Sequence, residues 1–277
     1  MSGSGNGELP LRFGLIADIH FSLERALSDT ADLKHCFSWW RERGVASVLQ
    51  LGDLVVGEEP DKEAELRQVT ALLEASGLPF RHIVGNHCLL NGRDRVLHRL
   101  GLSGAYYSFL VGGFRFLVLD TMDVSVFHDP TEREDRILME QVLARPGAFD
   151  YCGAIGIRQR EWIVNVLQRA TVAGEHVIVC CHHPLLPETT APKYGLLWNH
   201  REVVDLLCSF SVVKVVFGGH YHVGASMQYR GVCFLVLPAF VARYQHPDGF
   251  RCGMLELLPT GLVVYNQRDE LFYECSF

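Results

Sequence analysis

Short apolar runs alternate with amphipathic helical stretches through the first third of the sequence, and this alternation most constrains the fold. Residues 11–19, 46–51 and 81–84 are short, apolar and rich in β-branched side chains, which predicts buried strands. Residues 29–43 and 63–75 lie between these runs and carry apolar side chains at helical spacing. Strands that alternate with helices form βαβ units, so we expect largely parallel strands in an α/β fold.

The pattern changes after residue 86. Residues 106–111 and 114–120 are strand-like and flank Gly112-Gly113, which predicts a hairpin of antiparallel strands. Residues 121–156 are the least strand-like part of the chain, with helical character around 131–144. We interpret 121–156 as an inserted, cap-like segment over the edge of a sheet.

The rest of the chain returns to alternating helices and strands. Helices are predicted at 159–173 and 202–208, and strands at 177–181, 212–217, 232–237, 254–258 and 262–265. No internal repeat or low-complexity segment interrupts this order. We therefore expect a single α/β domain over residues 1–277 that contains two sheets.

The charge balance argues against a nucleic-acid-binding protein. The chain has 25 Lys and Arg residues against 32 Asp and Glu residues, so its formal net charge is 25 − 32 = −7. Proteins that hold DNA or RNA do so by neutralising phosphates with Lys and Arg. If this protein handles phosphate, the positive charge must be local or come from bound metal.

Compartment and membrane signals are also read from the sequence. Residues 1–10 lack the charged and apolar regions of a secretory signal, and no stretch approaches the roughly 20 apolar residues that cross a bilayer. The nine Cys residues have no framework spacing and several lie in apolar runs, which is typical of free thiols in a reducing compartment. We expect a soluble cytoplasmic protein without membrane association, and the nucleus is a further possibility.

Five polar motifs follow strand-like segments in succession. They are Asp18-Ile19-His20, Gly52-Asp53, Gly85-Asn86-His87, Cys181-His182-His183-Pro184 and Gly218-Gly219-His220-Tyr221-His222. Ligands of open α/β sheets bind beyond the carboxyl ends of the strands, so these motifs should converge. Carboxylate, amide and imidazole donors together suit two divalent transition metals.

Each motif alone has an ordinary structural explanation. Asp-x-His, Gly-Asp and Gly-Asn-His occur often as strand ends and turns, and His220-x-His222 is only suggestive. All five nevertheless appear in order, each at the same end of a predicted strand. A purely structural explanation gives no reason for that arrangement.

With these motifs the sequence resembles the calcineurin-like metallophosphoesterases over most of its length. The resemblance implies a four-layer α-β-β-α sandwich of two mixed sheets flanked by helices. It assigns Asp18, His20 and His222 to one metal, and Asn86, His182 and His220 to the second, with Asp53 bridging them. In this family the first His of a His-His-Pro run is the ligand, so His183 is expected to support the site or to pack.

The resemblance also implies a mechanism. Two divalent ions share a hydroxide that attacks phosphorus, and both ions stabilise the charge that develops. His87 is then the group that contacts the phosphoryl oxygen and protonates or stabilises the leaving group. Mn²⁺ is favoured through the resemblance, while mixed His, carboxylate and amide donors also accept Fe, Zn or Mg.

One position departs from the family pattern. Asp or Glu usually follows Gly-Asn-His and orients the histidine, whereas this chain has Cys88. A thiol cannot hold an imidazolium as a carboxylate does. Either another acid, with Asp94 as a candidate, replaces it, or His87 acts with less help.

Segments outside the motifs resemble one branch, the manganese-dependent ADP-ribose/CDP-alcohol diphosphatases. They are Tyr106-Tyr107-Ser108-Phe109, residues 115–126, Gly156-Ile157 with Glu161-Trp162, and Leu197-Trp198-Asn199-His200-Arg201. That branch often has Gln where this chain has His20, so the first metal site could differ in metal preference or substrate range.

Candidate substrate contacts follow from the same segments. Tyr107, Trp198, Asn199 and His200 are the candidates, and Trp198 could stack on a base or simply anchor a loop. Arg243 and Arg251 could meet a second phosphate, although surface Arg is the ordinary alternative. Asp123 and the 121–156 segment could shape a nucleoside pocket.

Three functional hypotheses follow. The first is a dinuclear-metal hydrolase that cleaves the pyrophosphate of nucleotide-type small molecules such as ADP-ribose and CDP-alcohols. The second is a phosphomonoesterase or cyclic-nucleotide phosphodiesterase on the same centre. The third is a non-catalytic binding scaffold, which loss of metal ligands would favour; none of the seven is lost, and Cys88 alone supports it.

Overall fold

The computed structural model describes residues 10–277, which fold around two six-stranded sheets. The strands are β1 (Leu11–Ile16), β2 (Ser47–Gln50), β3 (Phe80–His82), β4 (Tyr107–Val111), β5 (Phe114–Val118), β6 (His176–Cys180), β7 (Val213–Gly218), β8 (Ala225–Tyr229), β9 (Val232–Val236), β10 (Gly253–Leu258), β11 (Gly261–Asn266) and β12 (Leu271–Ser276). The α-helices are α1 (Ala26–Glu42), α2 (Lys62–Ala75), α3 (Asn86–Leu89), α4 (Arg93–Arg99), α5 (Arg133–Leu143), α6 (Ile157–Ala173) and α7 (His200–Cys208).

Both sheets are mixed. The first has the order β12-β11-β10-β1-β2-β3, and its β1, β2 and β3 strands are parallel, as the βαβ pattern predicts. The second has the order β4-β5-β6-β7-β9-β8, with a parallel centre and antiparallel edges. The predicted hairpin is β4–β5, and Gly112 and Gly113 at its turn both have positive φ, a conformation that glycine adopts without strain.

Three apolar layers hold these elements together. The two sheets face each other across a buried layer that includes Phe13 and Phe116, whose ring centroids are 4.9 Å apart. A second apolar layer lies between the first sheet and helices α1 and α2, and a third lies between the second sheet and helices α6 and α7. The order helix, sheet, sheet, helix is the predicted four-layer sandwich.

A glycine in β1 allows α1 to pack closely on the first sheet. A Cβ atom at Gly14 would lie 2.8 Å from the ring of Trp40, which is fully buried on α1. The indole Nε1–H of Trp40 then donates to the carbonyl oxygen of Gly253 on β10 (2.8 Å). These two contacts pack α1 against β1 and β10.

Residues 121–156 contain one helix, α5, close to the predicted helical stretch. Val124 and Ala154 form an isolated antiparallel bridge that closes the base of the segment. The side chains of Asp123 and Asp135 accept hydrogen bonds from the backbone N–H groups of Gly156 and Ile157, at the start of α6. The segment is thereby tied to the second sheet and its helix.

The prediction that all nine cysteines are free thiols is wrong for two of them. Cys233 on β9 and Cys275 on β12 form a disulfide between the two sheets, while the other seven cysteines are free. The two positions are 42 residues apart, so sequence spacing gives no sign of the pairing. The prediction of a reducing compartment therefore rests on the remaining seven. Among residues 10–277, no helix is both long and apolar enough to cross a bilayer.

Candidate metal centre

The five predicted motifs come together at one edge of the sandwich. The loops after β1, β2 and β3 carry Asp18 and His20, Asp53, and Asn86, and the loops after β6 and β7 carry the remaining histidines. Backbone hydrogen bonds link these loops: Asp18 N–H donates to the oxygen of Gly52 (3.1 Å), and His20 N–H to that of Asp53 (3.0 Å). The loops of both sheets therefore form one connected site.

Backbone strain is concentrated on the predicted metal ligands. Six non-glycine residues of the described chain have positive φ, and four of them are Asp18, His20, Asp53 and His220. Such conformations cost free energy and persist where the surrounding structure enforces them, typically at functional sites. The strained backbone conformations therefore occur at four residues whose side chains point toward the same site.

Four donor atoms form the first cluster, around His182. The Nε2 atom of His182 lies 3.2 Å from Asn86 Oδ1 and 3.2 Å from Asp53 Oδ2. It lies 3.3 Å from Nδ1 of His220. Atoms that bind one small divalent cation at right angles are about 3 Å apart, because each lies about 2.1 Å from the ion. These distances fit a single metal.

The second cluster joins the first through Asp53. His20 Nε2 lies 3.2 Å from His222 Nε2, 4.0 Å from Asp18 Oδ1 and 3.7 Å from Asp53 Oδ2. Because Asp53 Oδ2 is near His20 as well as His182, its carboxylate is placed to bridge two ions. The seven residues that the family resemblance assigns to two metals therefore lie together, and Asp53 lies between the two groups.

Backbone carbonyls fix which nitrogen of each ring faces the centre. A carbonyl oxygen only accepts hydrogen bonds, so His182 Nδ1 donates to Leu51 (2.9 Å) and His220 Nε2 donates to Tyr194 (2.7 Å). His182 Nε2 and His220 Nδ1 are therefore the ring nitrogens that face each other, 3.3 Å apart. Two imidazole nitrogens turned toward the same point can both bind one cation, so the donor set fits a bound metal.

Burial and neighbouring charges shift the pKa values of these buried groups. Burial raises the pKa of Asp18 to about 8, although the positive charge of His182 opposes that rise. Burial would also raise the pKa of Asp53, but the adjacent His182 holds it well below its usual range. Burial lowers the pKa of His20 and of His220 to about 3, which leaves both imidazoles neutral and able to bind a cation.

His87 is held at the rim of this centre. Its backbone N–H donates to Asp53 Oδ1 (2.9 Å), and its Nδ1 donates to the carbonyl oxygen of Val56 (2.7 Å). Its ring meets that of His20 edge to face, with 4.6 Å between centroids. A backbone carbonyl therefore orients the His87 ring, in the place where the family pattern has an acid at position 88.

Neither residue considered for orienting His87 does so. Cys88 is buried, and its Sγ accepts a hydrogen bond from Leu54 N–H (3.3 Å). Burial raises the pKa of this thiol to about 12, so it stays neutral. Asp94 is exposed on α4, and no hydrogen bond joins it to His87 within the described residues.

A cavity of about 520 Å³ opens beside the ligands. Besides Asp53, Asn86, His87, His220 and His222, its walls include Leu90, Val126, Phe127, Asp150, Tyr151, Lys193 and Tyr194. Sequence reasoning missed these wall residues individually, because they lie mostly in irregular loops without a motif. Only the interpretation of 121–156 as a cap-like segment pointed toward Val126, Phe127, Asp150 and Tyr151.

The predicted substrate contacts have other partners. Trp198 Nε1 donates to the Phe149 carbonyl oxygen (3.2 Å), and the Asn199 side-chain amide bonds both backbone groups of Ile155. The Tyr107 hydroxyl donates to the His82 carbonyl oxygen (3.0 Å), and His200 begins α7. None of these four residues lines the cavity beside the metal ligands.

Three further candidates also lie elsewhere. Arg243 and Arg251 both pair with Asp32, so they do not face the cavity. The buried ring of His183 is bonded to the Thr121 hydroxyl (2.8 Å) and to the carbonyl oxygen of Tyr151 (3.1 Å). His183 therefore supports the wall of the site, as expected from its second place in the His-His-Pro run.

Fold and ligand geometry together define a dinuclear phosphoesterase, and comparison with known proteins gives the family. A model described as calcineurin-like phosphoesterase matches residues 11–224, and the chain belongs to this family of metal-dependent hydrolases.

The curated relatives of this chain include several named manganese-dependent ADP-ribose/CDP-alcohol diphosphatase, two of which illustrate the similarity. The Arabidopsis thaliana protein is 30% identical, with 80% of this chain and 83% of that protein covered. The Homo sapiens protein is 25% identical, with 94% and 91% covered. A dimetal phosphatase from Danio rerio has the same fold, with a TM-score of 0.83, 23% identity and coverage of 97% and 99%.

Proposed function

We propose that this protein hydrolyses the pyrophosphate bond of nucleoside-diphosphate-linked small molecules such as ADP-ribose and CDP-alcohols. The observation that carries the proposal is the convergence of seven donor side chains into two clusters that share Asp53, next to an open cavity. The names of the curated relatives support this substrate class.

Two divalent ions are the proposed cofactors. Asp18, His20 and His222 would hold one, Asn86, His182 and His220 would hold the other, and Asp53 would be shared between them. Mn²⁺ is favoured because the relatives are named manganese-dependent, and Fe, Zn or Mg suit the same donors. When bound, such ions lower the pKa of water and offset the negative charge of a phosphoryl group.

His87 is the proposed catalytic residue. Because Nδ1 donates to Val56, Nε2 is the ring nitrogen left for the cavity, which His87 helps to line. In the imidazolium form Nε2 carries a proton and can give it to the leaving-group oxygen. The Asp53 carboxylate accepts a hydrogen bond from the backbone N–H of His87 and so holds the main chain of His87 beside the candidate metal ligands.

Hydrolysis of a substrate panel tests the proposal. The Mn²⁺-loaded protein is incubated with ADP-ribose, CDP-choline, p-nitrophenyl phosphate and a cyclic nucleotide, and products are identified by chromatography. We expect AMP and ribose 5-phosphate in equal amounts from ADP-ribose, and none from Asp53→Asn. Cleavage of only the aryl phosphate or the cyclic nucleotide would instead favour the phosphomonoesterase or phosphodiesterase hypothesis. Metal-loaded protein that cleaves nothing would favour a binding scaffold.

A further inference from the structure

The charged side chains of the cavity wall are few. Apart from the metal-binding groups and His87, the wall carries one acid, Asp150, and one base, Lys193. Both are exposed, whereas Arg243, which the sequence suggested for a second phosphate, is buried and paired with Asp29 and Asp32. Among residues 10–277, Lys193 is thus the only Lys or Arg of the wall that the fold offers to an anion beside the metal centre.

The backbone that carries Lys193 is fixed from two sides. The Tyr151 hydroxyl donates to the carbonyl oxygen of Lys193 (2.6 Å). The next carbonyl, that of Tyr194, accepts the Nε2–H of the metal ligand His220 (2.7 Å). The short 3₁₀ turn Pro192–Tyr194 is therefore tied both to the cavity wall and to the metal centre.

The ammonium group of Lys193 lies over an aromatic ring beside the ligands. Its Nζ is 5.0 Å from the ring centroid of Tyr194, and that ring is 5.7 Å from the ring of His222. A cation over an aromatic face is attracted to it while keeping its N–H donors available. The ion pairs of the described chain include one with Lys62 but none with Lys193, so no carboxylate of residues 10–277 lies within ion-pairing distance of this charge.

The charge of a diphosphate explains what such a lysine can do. Two divalent ions together carry roughly four positive charges, which the carboxylates of Asp18 and Asp53 partly offset. The positive charge that remains suits the phosphoryl group that is attacked. A monophosphate has no further anionic group, whereas a diphosphate presents a second charged phosphoryl next to the first. A cation outside the metal cluster can form a charge-assisted hydrogen bond with that second group.

We propose that Lys193 binds the second phosphoryl group and thereby selects diphosphate-linked substrates over monoesters. The proposal rests on the proposed function, since it names a specificity residue of the same site. Lys193 contributes ground-state binding and orientation at the phosphoryl group that is not attacked, while proton transfer stays with His87.

Binding of ADP and AMP to the Mn²⁺-loaded protein tests this proposal without requiring turnover. Dissociation constants are measured by calorimetry for wild type, Lys193→Gln, Lys193→Arg and Lys34→Gln, the last a control on the exposed face of α1. We expect Lys193→Gln to weaken ADP binding about tenfold and AMP binding less than twofold, because a charge-assisted hydrogen bond is lost only for ADP. Lys193→Arg should restore most of the ADP affinity, and Lys34→Gln should change neither constant.

Equal effects of Lys193→Gln on ADP and AMP, or no effect on either, would overturn the proposal. Kinetics then separate it from the proposed function. A wild-type protein that leaves ADP-ribose uncut but binds ADP through Lys193 contradicts the diphosphatase assignment alone. A wild-type protein that cuts ADP-ribose, with kcat/KM unchanged in Lys193→Gln, contradicts the role of Lys193 alone.

Discussion

His87 directs its Nδ1 atom to the carbonyl oxygen of Val56, 2.7 Å away, in the loop that follows β2. The usual acid after Gly-Asn-His is thus replaced in function by a main-chain acceptor. A carbonyl fixes the ring and its tautomer as a carboxylate does, but it adds no negative charge that would favour the imidazolium. Orientation of His87 is retained even though position 88 carries a thiol.

Replacing His87 should slow turnover without emptying the metal site. We expect His87→Ala to lower kcat by about 10²- to 10⁴-fold, the range typical of a lost general acid. Metal content by mass spectrometry should stay at the wild-type value, because His87 is outside the two proposed ligand sets. His98→Ala, on the exposed side of α4, is the matched control. A decrease in kcat of less than tenfold, or a loss of bound metal, would contradict this role.

Removing the Cys88 thiol should affect stability more than activity. Cys88→Ala leaves a small cavity and deprives Leu54 N–H of its acceptor, so we expect the free energy of unfolding to fall by about 1–2 kcal/mol. The kcat of the folded variant should stay within about threefold of wild type, since Val56 orients His87. Urea unfolding and kinetics on one preparation check both values. A large fall in kcat with metal retained would show that the thiol acts on His87.

Neutralising the shared carboxylate should release both ions. Asp53→Asn removes the charge that lies near both His20 and His182, so we expect bound metal to fall from about two ions per chain to less than one. Asp61→Asn, exposed at the start of α2, is the control. Retention of two ions by Asp53→Asn, measured by mass spectrometry after dialysis, would exclude a bridging role.

The strand ends and the candidate metal ligands could be predicted from the sequence because both follow from local patterns. The strands β1, β2, β6 and β7 carry apolar, mostly buried residues, and each is followed by a polar motif whose position the sheet then fixes. The edge strands β8 and β12 were harder to predict. β12 alternates between exposed and half-buried residues, and most of β8 is exposed, so neither carries an apolar run.

Long-range contacts between loops were beyond sequence reasoning. Three such contacts join residues that are 31 to 42 positions apart in the sequence. They are the hydrogen bond from His87 to the Val56 carbonyl, the hydrogen bond from Tyr151 to the Lys193 carbonyl, and the disulfide between Cys233 and Cys275. Backbone acceptors also have no residue-type signature, because every residue has a carbonyl oxygen. The sequence analysis therefore predicted substrate contacts at residues such as Trp198, which do not line the cavity in the structure.

The buried pair of Arg243 and Asp29 should be a major source of stability. Arg243 is 4% exposed and Asp29 is fully buried, and the Tyr244 hydroxyl also donates to Asp29 (2.7 Å). Arg243→Met leaves a buried carboxylate without its main partner, so we expect a loss of about 3–5 kcal/mol in the free energy of unfolding.

A double-mutant cycle measured by urea unfolding checks this pair. Asp29→Asn combined with Arg243→Met should cost clearly less than the sum of the two single changes, because each single change removes the same interaction. Additive losses would show that the two side chains act independently. The pair is relevant to the metal site as well, since Phe240 and Val241 on the same 3₁₀ turn donate backbone hydrogen bonds to Ala17 and Asp18.

His82, at the end of β3, should make stability depend on pH away from the metal ligands. Burial lowers the pKa of His82 to about 4, from about 6.5 in an unfolded chain. Between these values the unfolded state binds more protons than the folded state, so the free energy of unfolding falls as pH is lowered from about 6.5 to about 4. The full contribution of His82 is about 3 kcal/mol, present above pH 6.5.

Urea unfolding of the metal-free protein between pH 7 and pH 4 measures this dependence. His82→Gln keeps a side-chain donor that can reach Gln50, the partner of His82 Nδ1 at 3.3 Å, but it does not titrate in this range. We expect its loss of stability on acidification to be about 3 kcal/mol smaller than that of wild type. His98→Gln, at an exposed position on α4, should follow the wild-type curve. If His82→Gln and wild type lost stability in parallel, His82 would not be buried in its neutral form, and the packing of β3 against α2 would need revision.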